Sequence, residues 1–111
     1  MPSVITAVLP DDAAMTRFAQ TAYPAAAGAV ITFAGVVRDH DGGRGVAELE
    51  YLAHPSAPEV LQHCAEEVAR RHPLVTVLRA GHRTGALGIG DRALLVEVAS
   101  AHRAEAFAAC G

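Results

Sequence analysis

Residues 75–99, VTVLRAGHRTGALGIGDRALLVEVA, decide the fold. Val75 to Arg83 and Arg92 to Ala99 are β-branched and apolar in the manner of strands, and Thr84 to Asp91 between them holds three glycines suited to tight turns. Two strands that follow one another with no helix between them exclude strict βαβ alternation. Upstream, Ser56-Ala57-Pro58-Glu59 reads as a capping box with proline in the first turn. Val60, Leu61, Cys64, Ala65 and Val68 then repeat at helical spacing until Arg70-Arg71-His72 meet the negative end of the helix dipole and Pro73 stops the helix. Downstream, a last, alanine-rich helix is predicted from near Ser100.

Toward the N-terminus, Ser3 to Leu9 predicts a strand. Pro10-Asp11-Asp12 signals the start of a helix reaching about Ala22, with Met15, Phe18, Ala19 and Ala22 as its apolar stripe. Ala29 to Arg38 (AVITFAGVVR) reads as a long buried strand in which Gly35 marks a bulge or a close approach. Asp39 to Gly45 holds three glycines and no apolar residue, which predicts a loop that is mobile unless a ligand or partner orders it. Val46 to Leu52 interleaves apolar residues with Glu48 and Glu50, as a strand with one wet face does. The order β-α-β-β-α-β-β-α predicts one α+β domain over residues 1–111, a mixed, mostly antiparallel sheet with helices packed on it.

A chain of 111 residues, 51% of them hydrophobic, has enough core for one domain without a disulfide framework or structural metal. All nine basic residues are arginine, which removes P-loop, Schiff-base and pyridoxal-phosphate chemistry from consideration. A net charge of −3 with 5% aromatic residues argues against a nucleic-acid surface. The apolar runs are far short of the ~20 residues that cross a bilayer, and no export signal is visible. With only Cys64 and Cys110, the expectation is a cytoplasmic protein with reduced thiols, Cys64 in the core and Cys110 incidental. The histidines form no HxxxH or HxH pair, and Asp39, Asp41 and Glu50 fail as a calcium loop because Arg44 stands where glycine is needed. No metal and no cofactor are expected.

Two arginine–histidine groups stand at predicted element ends: Arg38 with His40 after the second strand, and His102 with Arg103 in the first turn of the last helix. Guanidinium forks and the free N–H groups of a helix N-terminus suit a phosphate or carboxylate. A cation in a first helical turn is disfavoured by the helix dipole, so Arg103 points to an anionic partner rather than to helix stability.

At these residues a family resemblance enters. The runs GAVITFAGVVRDHDGGRGVAELEYLAHPSAPEVL (28–61) and AGHRTGALGIGDRALLVEVASAHRAEAF (80–107) resemble the catalytic large subunit of molybdopterin synthase. Its marks are VRDH, a glycine loop, a strand ending in tyrosine, HRxGxLxxGD and SAHR before AF. The resemblance implies a hammerhead-like α+β fold and sulfur transfer in molybdenum cofactor biosynthesis, in which cyclic pyranopterin monophosphate receives two sulfurs and becomes molybdopterin. It implies as donor a small ubiquitin-like sulfur-carrier subunit with a C-terminal Gly-Gly thiocarboxylate. It further implies a homodimer within a heterotetramer. His102 and Arg38 are the implied catalytic residues, and Val36, Val37, Arg38, His102 and Arg103 the implied substrate-binding ones, some of them across the dimer.

The chain departs from the family's pattern in two respects. Val36 stands where the family usually has a lysine two residues before the arginine, so only its backbone can contribute. Family members also continue past the last helix into a segment with two lysines important for activity, so a chain lacking its C-terminal segment is expected. The alternative is a non-catalytic short form that binds the pterin phosphate or the partner, and a weaker one is a dimerisation scaffold that uses an open sheet edge.

Overall fold

The computed structural model describes residues 2–19, 23–38, 40–41, 44–45, 48–51 and 56–111. Its centre is a four-stranded sheet in the order β1-β6-β8-β2, built from β1 (Ser3–Leu9), β6 (Val75–Arg83), β8 (Arg92–Ser100) and β2 (Ala29–Val36). β1 runs parallel to β6, and the β6–β8 and β8–β2 pairs are antiparallel. The architecture is thus the expected α+β one with a mixed, mostly antiparallel sheet.

Helices cover both faces. On one face, Leu78 of β6 and its cross-strand partner Val98 of β8 join Ala65 of α2 (Ala57–Arg71) and Ala106 of α3 (Arg103–Cys110) in the main apolar cluster. The other face carries Arg79 and Glu97, the neighbouring register pair, under α1 (Asp12–Ala19). Arg79 Nε lies 3.6 Å from Glu97 Oε1, both side chains being almost fully buried. The Arg79 guanidinium sits 4.6 Å from the Phe18 ring centroid and donates to the Phe18 carbonyl, while the Tyr23 hydroxyl donates to Glu97. A buried ion pair survives in such a layer only when its remaining donors and acceptors find partners, and α1 with the chain after it supplies them.

Local signals explain most boundaries. Asp11 caps α1, its Oδ1 accepting the Ala14 N–H at 2.8 Å. α2 runs from Ala57 to Arg71 with Pro58 in its first turn, as predicted, but Ser56 makes no side-chain cap bond because its backbone is helical (φ −88°, ψ 0°) rather than extended. The pairing of β2 with β8 shifts register between Gly35 and Val36, where a bulge was expected.

Other expectations are corrected. The last helix begins at Arg103, because Ser100 is still paired with Ala29 as the end of β8. β2 is not a buried strand. It forms an edge of the sheet, with Val30 39%, Phe33 51% and Val36 55% exposed. Cys64 is exposed on α2, outside the core. The stretch 84–91 is not only turn: β7 (Gly85–Gly88) pairs antiparallel with β5 (Glu48–Tyr51). Within the expected loop 39–45, β3 (His40–Asp41) pairs with β4 (Arg44–Gly45). The expected mobility at Asp39, Gly42 and Gly43, and the helix end near Ala22, lie outside the described residues.

Candidate functional site

The β2–β8 ribbon places the two arginine-bearing groups. Val36, the last residue of β2, pairs with Arg92 at the start of β8, and Ala29 at the start of β2 pairs with Ser100 at the end of β8. Arg38 therefore leaves one end of the ribbon, and His102 and Arg103 leave the other. Arg38 is the ninth residue after Ala29, roughly 30 Å of extended chain at ~3.3 Å per residue. The structure does not bring the predicted site residues together within one chain.

At the first end, Arg38 is exposed and makes no ion pair among the described residues. Its neighbour Val37 is 4% exposed and packs with Leu87 and Ala93. The Val37 N–H donates to the Asp91 carbonyl at 3.0 Å, and the Gly90 N–H donates to the Val37 carbonyl at 2.8 Å. The Val37 amide is thereby committed to the protein itself, while Val36, paired with Arg92, is 55% exposed. The other arginines here have anionic neighbours: Arg83 Nη1 is 3.6 Å from Asp91 Oδ2, and Arg92 Nη2 is 3.2 Å from Asp12 Oδ1 and donates to Thr16 Oγ1 at 2.8 Å. The carboxylates pair with those two, and Arg38 is exposed without an ion pair among the described residues.

At the second end, His102 is the N-cap of α3 in extended conformation (φ −128°, ψ 150°) and makes no side-chain cap bond. His102 and Arg103 are both exposed. The Ser100 hydroxyl donates to the His102 carbonyl, and the Gly28 N–H to the Ser100 carbonyl at 2.9 Å. Gly28 approaches the turn so closely that a Cβ on it would lie 2.5 Å from the Ala101 carbonyl oxygen, which fixes glycine there. The uncapped N–H groups at the start of α3, with Arg103 in its first turn, form an anion-attracting corner.

Sequence reasoning missed Arg83 and Asp91, although both stand in the quoted run HRTGALGIGD. A charged residue in an apolar strand was the available signal. His82 also belongs here, its Nδ1 lying 2.8 Å from the Arg83 carbonyl. Among the described residues, no cluster of His, Cys, Asp or Glu could hold a metal, and no helix is long and apolar enough to cross a membrane.

Comparison with known proteins gives consistent results. A molybdopterin synthase catalytic subunit from Ralstonia nicotianae is 44% identical over 84 residues, 75% of this chain and 47% of that protein. The crystal structure of molybdopterin synthase from Staphylococcus aureus superposes with a TM-score of 0.77 at 30% identity, covering 98% of this chain and 78% of that one. The fold also recurs in a Helicobacter pylori complex of subunits 1 and 2 of molybdopterin-converting factor, with a TM-score of 0.65 at 20% identity over 97% of this chain and 70% of that one. The chain spans about half the length of the curated relatives it matches. The family described as "MoaE protein" matches residues 8–111, nearly the whole ribbon-and-helix framework, and the chain belongs to the MoaE family.

Proposed function

We propose that this chain carries the pterin-binding part of a molybdopterin synthase catalytic subunit. The reaction is conversion of cyclic pyranopterin monophosphate to molybdopterin by two sulfur transfers from the thiocarboxylated Gly-Gly tail of a small ubiquitin-like subunit, in the cytoplasm. Relatives and structural neighbours that carry the molybdopterin synthase name support this reading. The observation that carries it here is the pair of exposed arginine corners at opposite ends of one open-edged ribbon.

The open edge supplies the route by which the two corners meet. Among the described residues β2 has no strand neighbour beyond β8. In a homodimer whose β2 edges pair antiparallel about a two-fold axis, Arg38 of one copy lies beside residue 28 of the other. The partner's β8 end, with the start of α3, is then two strand spacings away, roughly 10 Å. Val30, Phe33 and Val36 lose exposed apolar surface in the same step. Each site then takes Arg38 from one copy and a histidine–arginine corner from the other.

Within such a site the roles follow from chemistry. The Arg38 and Arg103 guanidinium forks hold the substrate phosphate by paired charge-assisted hydrogen bonds. The α3 N-terminus adds its N–H groups and positive dipole end. His102, close to that phosphate, moves a proton as sulfur bonds to the pterin and water cleaves the acyl C–S bond, leaving the tail of the small subunit as a carboxylate. Val36 is the exposed residue beside Arg38, available through its backbone.

The test is complementation in the dimer, assembled with thiocarboxylated small subunit and assayed for precursor conversion. Arg38→Ala and Arg103→Ala homodimers each lose about 10- to 100-fold in kcat/KM, the loss of a desolvated charged contact. A mixed dimer with Arg38→Ala in one copy and Arg103→Ala in the other keeps one intact site and regains about half the unsubstituted rate. Mixed dimers as inactive as either parent would place both arginines in one chain's site and sink the composite arrangement. Full activity of both parents would sink the residue assignment.

A further inference from the structure

The end of the ribbon that carries Arg38 is held by an ion pair between a buried arginine, Arg83, and a half-exposed carboxylate. That carboxylate, Asp91, is its centre. One carboxylate oxygen, Oδ2, accepts the Gly88 N–H at 2.9 Å and faces Arg83 Nη1 at 3.6 Å. The Asp91 N–H donates to the Gly88 carbonyl at 3.0 Å, closing a turn over residues 88–91 whose third residue, Gly90, has φ +88°. That is the backbone a type II turn requires and glycine supplies. From this turn the Asp91 carbonyl takes the Val37 N–H and the Gly90 N–H reaches the Val37 carbonyl. Both backbone groups of the residue before Arg38 are thus tied to one turn, and that turn is tied to Arg83.

Arg83 is a costly residue for this place in the fold. Its side chain is 7% exposed, and its Nε has no hydrogen-bond partner among the described residues. A guanidinium in such a place costs more to bury than an apolar residue of the same volume. The charge does one thing an apolar residue cannot: it fixes the Asp91 carboxylate, and through it the turn that grips Val37.

We infer that Arg83 and Asp91 are positioning residues for Arg38, holding the Val37 backbone so that Arg38 meets its anion from a preset root. Preorganisation of this kind spares the ordering cost on binding, so its loss shows in substrate binding more than in turnover. This inference rests on the anion-holding role proposed for Arg38.

The experiment combines kinetics of the assembled synthase with amide hydrogen exchange of the same chain without ligand. In Asp91→Ala, the Val37 amide exchanges about tenfold faster or more, while protection in β6 and β8 at the far end of the ribbon is unchanged. KM for the pterin precursor rises about tenfold, and kcat changes less than about twofold. Asp91→Asn, which keeps an oxygen for the Gly88 N–H, recovers part of that loss. The double variant Arg38→Ala/Asp91→Ala is no worse than Arg38→Ala alone, because a residue acting through Arg38 has nothing left to act on. Should Asp91→Ala not fold, Arg83→Lys carries the same two readings, since lysine keeps the charge and loses the fork. Additive losses in the double variant, or a Val37 amide as protected as before, overturn the inference. If Arg38→Ala leaves KM unchanged, the assignment of Arg38 to the anion fails, and the Val37 exchange rate, which needs no ligand, tells that failure from a failure of the clamp.

Discussion

The two ends of the β2–β8 ribbon are fixed by different physics. At the Arg38 end, hydrogen bonds around a glycine turn grip a buried valine from both sides. At the His102 end, close packing holds the chain: Gly28 lies against the Ala101 carbonyl, and the segment leading to it is tied down where Tyr23 meets the buried Arg79–Glu97 pair. A network of directional bonds fails when one donor or charge is removed. A close-packed corner fails when an atom is added. Each end should therefore respond to substitutions of its own, and because the ends lie roughly 30 Å apart their responses should add.

The largest effect is expected under the His102 end. Arg79→Met leaves Glu97 buried without its counter-charge and should cost about 3–5 kcal/mol in urea unfolding. Arg79→Met/Glu97→Leu should recover most of it, since two apolar side chains satisfy a buried layer as well as an ion pair does. A double variant as unstable as the single one would mean that the pair contributes more than mutual neutralisation.

Next comes Gly28→Ala. The added methyl meets a backbone oxygen that cannot rotate away, so a cost of about 1–3 kcal/mol is expected, with faster exchange of the Gly28 amide. Gly90→Ala at the other end should cost about 1–2 kcal/mol, the strain of a left-handed residue with a Cβ, and should release the Val37 amide but not that of Gly28. If the two substitutions together cost clearly more or less than their sum, the ends are coupled and the contrast between them fails.

Much of this framework was legible in the residues. β1, β6 and the span of α2 lie where period, proline and charge placed them, because those signals act within a few residues. The burial of β2 was misjudged because AVITFAGV has the composition of a central strand, and its place at the edge depends on where β1 and β6 pair. β7 went unseen because Gly-Ala-Leu-Gly has little strand preference and is a strand only by pairing with residues 48–51. The end of β8 was set one residue early, and the last helix too early, because alanine favours helix while register with Ala29 holds Ser100 in the sheet. As for the site, the arginine–histidine groups were legible as chemistry, but their placement at opposite ends follows only from the antiparallel register. Arg83 and Asp91 were invisible as a pair because seven residues of turn and strand separate them.

The smallest effect concerns Tyr23, and it has a definite pH window. Burial pushes the Tyr23 hydroxyl up from 10.0 to about 12, helped by its hydrogen bond to Glu97 and by that carboxylate's charge, with Arg79 opposing. The folded state thus holds this proton more tightly than the unfolded chain does. The stability that follows is present in full below about pH 10 and is lost as pH rises toward 12. Tyr23→Phe removes the hydrogen bond and should cost about 0.5–1.5 kcal/mol at neutral pH. Above pH 10 the gap in Tm between the two proteins should narrow, closing near pH 12, because only the tyrosine protein has this proton to lose. Tyr51 is common to both and cancels in the difference. A gap that stays constant from pH 9 to 12 would show that the Tyr23 hydroxyl faces water, and that the segment entering β2 is anchored by Arg79 and Phe18 alone.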